Sequence, residues 1–369
     1  MKKIILALCA VALFGMTACK KDKVSPDEPT YQGSGNQGGQ GGQNDPPQTG
    51  WADKPGVYSP SAKIDSVLEE GILTETWTWE NDLLTAVSDA NGNEKVRFTH
   101  DNQGRVKTMT VNSESMASGT VNVNYNGDKI SSLSLMNGTE EMLSATLSYS
   151  GDKISGGELD VSDNMILDLF NTMVAQFLGG SDAEDMVTGI DEVMGSVSFN
   201  WNGDNVSESF LSISARLKTT LGKIVEMIPD MSVFGSYGTV IQDLASIYPD
   251  REVYIKASMK DTANYSYNSN IKNPMRRNLG AAISLDGYMP SFEVITMTQD
   301  PLAHEQHNSS ANAEILIQLY GNNPTSVYEQ SLPLASDETS YTYTSTRADG
   351  YPETVDDGAS IKTYIYQAK

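Results

Sequence analysis

Residue types that carry chemistry are sparse in this 369-residue chain, and their spacing narrows what they can do. Of its three histidines, two stand in His304-Glu-Gln-His307. On a helix, residues three apart can share a metal, but this is not the His-Glu-x-x-His pattern of zinc proteases. Pro301 before the pair and the polar run after it predict a solvated loop. Asp89-Ala-Asn91-Gly-Asn93 has the first three ligand positions of a calcium loop and lacks the glycine at six and the glutamate at twelve, so it reads as a hairpin turn. No Gly-x-Ser-x-Gly elbow occurs. Carboxylate pairs for glycoside hydrolysis are defined by distance in space, and among 48 acids no pair stands out. No metal, cofactor or catalytic residue is therefore expected, and a glycosidase is the weakest reading. The aromatics remain. Trp77, Trp79, Tyr125, Tyr149 and Trp201 all stand just before turn signals, and the apolar stretches between 163 and 195 add Met173 and Met186. Rings and thioethers of this kind build a core, or they form a stacking platform or an apolar ligand pocket.

The elements that hold these rings are repeated. Val121, Val123 and Tyr125 alternate with Asn122 and Asn124, a strand with one apolar face. Asn126-Gly127-Asp128 reverses the chain, because Asn-Gly tolerates the positive φ of tight hairpin turns. The return strand carries Ile130 and then Leu133, and that step of three breaks the parity and predicts a bulge. The same grammar follows Trp79, His100, Tyr149, Trp201 and Tyr343. Consecutive hairpins make a long antiparallel meander, which curls into a barrel-like sheet as it buries its edges. The expected class is mainly β, one domain over 51–369, with apolar helical insertions near 163–195 and 217–248 on its concave face or mouth. In the first insertion, Ile166 to Phe177 and then Met186, Val187, Ile190, Val193 and Met194 fall at helical spacing, the second run behind a Ser181-x-x-Glu184 capping box. From 217 to 228 strand parity gives way to helical spacing, and Val233 to Tyr248 is helical again, stopped by Pro249.

The N-terminus is a targeting segment. Lys2 and Lys3 precede a 12-residue apolar run, Ile4 to Gly15, which is too short for a permanent membrane span. Met16-Thr17-Ala18-Cys19 resembles a lipobox, which implies removal of residues 1–18 and acylation of Cys19. Residues 19–50, rich in Gly, Gln and Asn, read as a flexible tether. Cys9 and Cys19 are the only cysteines, so the body contains no thiol or disulfide. The charge, 25 basic against 48 acidic residues, is −23, which excludes nucleic acid as a partner.

Two family resemblances follow from these motifs. His100-Asp101-Asn102-Gln103-Gly104-Arg105-Val106 resembles the YD-type repeat, with His in place of Tyr. Tyr343 to Val355 and Tyr265 to Pro274 resemble segments of Bacteroidetes outer-membrane lipoproteins of unknown function with a porin-like β fold. That resemblance implies a barrel-like body on a lipid anchor at the outer membrane, and no chemistry. The mostly basic Lys20-Lys21-Asp22-Lys23 leaves both the periplasmic face and the cell surface open. The expected function is a non-catalytic module for a lipophilic or glycan ligand, held to the membrane by its N-terminal lipid. The alternative is a structural or interaction protein of the envelope with no small ligand.

Overall fold

The structure is a computed structural model and describes residues 62–112, 119–173, 186–203, 205–228, 230–273, 283–284, 289–290, 302–319 and 325–368. Cys19, its tether and the Ser181-x-x-Glu184 box lie outside the described residues. In chain order come β1 (Ile64–Glu69), β2 (Ile72–Glu80), β3 (Leu83–Asp89), β4 (Glu94–His100), β5 (Val106–Val111), β6 (Gly119–Asn126), β7 (Lys129–Asn137), β8 (Glu140–Ser150) and β9 (Lys153–Val161). Helix α1 (Asp163–Met173) precedes β10 (Gly189–Asn202) and β11 (Asn205–Thr220). Helix α2 (Leu221–Met227), a 3-10 turn (Met231–Phe234) and α3 (Tyr237–Ile247) lead to β12 (Glu252–Lys272). After a two-residue pair, β13 (Ile283–Ser284) and β14 (Met289–Pro290), come β15 (Leu302–Leu319), β16 (Thr325–Ser340), β17 (Thr342–Thr346), β18 (Pro352–Asp356) and β19 (Ile361–Tyr366).

The meander is as the sequence predicts. Each strand from β1 to β12 pairs antiparallel with the next. β12 continues to β15 and β15 to β16, and β17 pairs with β18, which pairs with β19. β16 runs into β17 through Tyr341, and β19 returns to pair with β1, Ile64 opposite Tyr366. The sheet thus curls until its first and last strands meet. The expected bulges are present: Trp79, Tyr125, Tyr149 and Trp201 pair with Leu84, Ile130, Ile154 and Val206, and the register shifts beside each pair.

Periodicity alone could not say which way the apolar face points. It points inward: Val206, Leu211, Ile213, Ala215 and Leu217 of β11 join one buried cluster with Trp77, Ile130, Ile154 and Phe199. The outward positions include Arg97 and Lys107, both exposed. Helix α1 lays Ile166 and Phe170 against Ile213, Leu217 and Met259 on that inner face. Its start is set by Ser162, whose hydroxyl accepts from the Met165 amide. The ambiguous stretch from 217 changes state at Thr220, whose hydroxyl accepts from the Lys223 amide and caps α2.

Two expectations are corrected. The stretch from Ile190 to Met194 is strand, part of β10, and not helix. A register shift between Ile190 and Glu192 leaves Ile190 and Val193 both partly covered, and the bulge imitates a helical step of three. The backbones of His304 and His307 lie in β15 and not in a loop, paired with Tyr267 and Tyr265. Among the described residues no group of three metal-ligating side chains gathers.

Candidate functional site: an aromatic and cation ladder at the turns

At the end of the sheet opposite the helices, four strands begin by one rule. A cation stands just before an aliphatic: Lys63-Ile64, Arg105-Val106, Lys129-Ile130 and Lys153-Ile154, whereas β3 and β11 begin with Leu83-Leu84 and Asn205-Val206. The aromatic of the neighbouring hairpin lies over this pair. Trp79 Nε1 donates to the Ile64 carbonyl at 2.7 Å, Tyr125 OH to Val106 at 2.9 Å, Tyr149 OH to Ile130 at 2.9 Å and Trp201 Nε1 to Ile154 at 2.7 Å. The cation covers the same ring, Lys63 at 5.8 Å, Arg105 at 4.1 Å, Lys129 at 5.0 Å and Lys153 at 5.5 Å from the centroids, within cation–π range. Its head then satisfies a carbonyl in that hairpin's own turn: Arg105 reaches Gly127, Lys129 reaches Gly151 and Lys153 reaches Gly203. Tyr267 donates to Val206, and Tyr366 to Pro352 beneath Arg347, so the ring-to-carbonyl bond recurs around the sheet, although Asn205 and Tyr351 stand where the cation would be.

These contacts explain why the motif has its spacing. Asp101 Oδ1 accepts from the Gln103 and Arg105 amides, and its other oxygen takes the Arg105 guanidinium at 2.7 Å. The carboxylate shapes the turn and aims the arginine at Tyr125, one hairpin away. Burial pushes the Tyr149 phenol up to about 12, and the Tyr125 and Tyr366 phenols higher, so all three stay neutral donors. The Asp89 stretch is the turn that the sequence predicts. Asp89 accepts from the Asn91 and Asn93 amides, and the Asn93 side chain holds its carboxyl below the usual range.

The remaining candidate residues are placed as follows. Trp77 is buried, 6.3 Å from Trp79 in a stacked pair, and its Nε1 reaches Glu75. Met186 is fully buried, and its carbonyl accepts the Thr219 hydroxyl. Met173 ends α1. The structure therefore joins Trp79, Tyr125, Tyr149 and Trp201 in one ladder and leaves Met186 outside it. A hollow between α1 and the sheet, lined by Phe170, Ile213, Leu217 and Ala257, has room for about one water molecule. The cations went unread as site residues, although their fixed place before each aliphatic was a usable signal.

One rung is broken. His100 occupies the aromatic position and pairs with Val106 across the bulge, but its Nε2 is buried without a hydrogen-bond partner. Burial holds its pKa below the ordinary value, against the opposing charge of Asp101. A base held neutral in the fold loses stability as pH falls below its unfolded value near 6.5. His100→Tyr should restore a donor toward the Leu84 carbonyl and raise stability by about 1 kcal/mol at pH 7. The gain should grow at pH 5.5, where the unfolded wild-type chain binds a proton that the buried imidazole resists. Urea midpoints at the two pH values test this, and a variant no more stable than wild type at either pH would refute the missing-rung account.

Fold and ladder together define a repeated-hairpin β protein whose turn motif is structural. A family model, RHS Repeat, matches residues 79–115, a span that starts at Trp79 and includes the Asp101 to Arg105 turn. The chain is similar to RHS repeats over that stretch, and no curated protein matches it.

Proposed function

We propose that this protein is a lipid-anchored scaffold of the bacterial cell envelope, tethered to the outer membrane through Cys19, that works by contact with protein partners. It is non-catalytic. One observation carries the reading against the ligand-binding alternative: the rings best suited to stack a glycan are already engaged. Trp79, Tyr125, Tyr149 and Trp201 each have one face under a cation and their polar atom on a backbone carbonyl. A stacking platform needs free ring faces and free polar atoms.

Native mass spectrometry on the full chain, extracted from its own envelope in mild detergent, tests this. The expected mass is that of the chain cleaved before Cys19 plus its acyl groups, accompanied by a co-purifying protein. A stoichiometric glycan, or a lipid beyond the anchor, would replace the scaffold with a ligand-binding module.

A further inference from the structure

Helix α3 has two apolar faces, and the fold uses only one. Gly238, Ile241 and Ala245 are buried. The fit there is tight, since a Cβ on Gly238 would stand 2.0 Å from the Met231 carbonyl oxygen. On the other side Tyr237, Val240, Ile247 and Tyr248 are 50%, 46%, 64% and 58% exposed, with Leu244 half-buried among them. Positions 237, 240, 244, 247 and 248 form one stripe along a helix. Among the described residues, four of the eight exposed large apolar side chains lie on this helix and its C-cap residue, Tyr248.

The occupant follows from size, chemistry and tether. A stable protein interface takes about 20–30 residues a side, and this stripe has five, too few for a second copy or a stable partner to hold alone. Its make-up, aliphatics flanked by a tyrosine at each end, suits the membrane–water interface, where tyrosine concentrates. The helix carries Asp243 and no cation, which favours zwitterionic over anionic lipid. About 40 residues separate Cys19 from Ala62, a contour of roughly 140 Å at about 3.5 Å each. The chain enters the sheet at the turn end, where Lys63 pairs with Asp82. β11 has 16 residues and spans roughly 53 Å, so the tether is long enough to bring the helical end to the bilayer. Covalent tethering raises the local concentration enough for a small patch to hold.

We propose that the exposed stripe of α3 is a membrane-docking surface, laid on the zwitterionic bilayer that holds the protein's own lipid anchor. This rests on the lipid-anchor reading above. The test uses the full acylated chain in vesicles of phosphatidylethanolamine and phosphatidylcholine. Ile247→Cys takes a polarity-sensitive fluorophore, and Asp152→Cys, at an exposed turn of the opposite end, serves as control. The label at 247 should shift to the blue and be quenched by nitroxide-bearing lipid, unchanged in high salt, while the label at 152 keeps its aqueous emission. Adding Val240→Asp should reverse both changes. An aqueous, unquenched label at 247 on vesicle-bound chain overturns the proposal and leaves the anchor standing. A blue shift without lipid quenching that fades on protein dilution overturns it in favour of a second copy. If the wild-type chain itself takes the thiol label, Cys19 is free, and the anchor reading fails with the docking reading.

Discussion

Tyr125→Ala should lower stability by on the order of 3 kcal/mol, more than any other single truncation at the turns. Three losses coincide at that ring. Its half-buried body packs against the core cluster, its hydroxyl satisfies the Val106 carbonyl, and it lies 4.1 Å from the Arg105 guanidinium, the shortest of the cation contacts along the ladder. Tyr125→Phe isolates the hydroxyl and should cost about 1 kcal/mol. Arg105→Ala removes the cation along with its bonds to Asp101 and the Gly127 carbonyl. A double-mutant cycle between Arg105 and Tyr125 should return a coupling of about 1 kcal/mol. Urea denaturation of wild type, the three single variants and the double mutant gives all these values. Additive single mutants would mean that ring and cation are merely neighbours.

The second large effect lies inside the sheet. Asp261 faces inward on β12 between Leu211 and Ala311, is 4% exposed, and has one carboxylate oxygen without a partner. Burial pushes its pKa up to about 6 from 3.8, opposed only by the Thr262 backbone N–H. The fold therefore holds a proton that the unfolded chain releases between these values. Stability falls as pH rises through that window, by about 3 kcal/mol in all, at 1.36 kcal/mol per unit. Asp261→Asn cannot ionise and should be more stable than wild type at pH 8 by roughly that amount, less whatever its amide leaves unpaired. At pH 4.5 the advantage should fall to about 1 kcal/mol, and it should vanish below the unfolded value of 3.8. The comparison separates Asp261 from His100, whose protonation acts in the opposite direction and is common to both proteins. Equal midpoints at pH 8 would show that the Asp261 carboxylate is already solvated or paired.

Much of this was legible in the sequence because it is local. The hairpin at 121–135 follows from alternation, from Asn126-Gly127, and from the step between Ile130 and Leu133, all within 15 residues. The change of state at Thr220 was legible for the same reason, since a cap acts within one turn. The helix expected at 190–194 failed for a related reason: a strand bulge and a helical turn both bring a residue and the third one after it to one side. Ile190 and Val193 carry the same signal in either conformation.

Turns, bulged hairpins and the order of pairing follow from short windows of residues. What the hairpins do to each other depends on how the sheet brings distant strands together. Lys153 and Trp201 are 48 positions apart and share no local pattern, yet they meet because β9 and β10 are neighbours in the sheet. The meeting of Ile64 with Tyr366 depends on the summed twist and stagger of all the strands between them, which no short window contains. Burial is likewise a property of whatever lies opposite. Asp261 sits in an alternating strand like any other acid until the curled sheet excludes water from its inner face. Val240 reads as a core position until the helix turns Ile241 inward and leaves it outside.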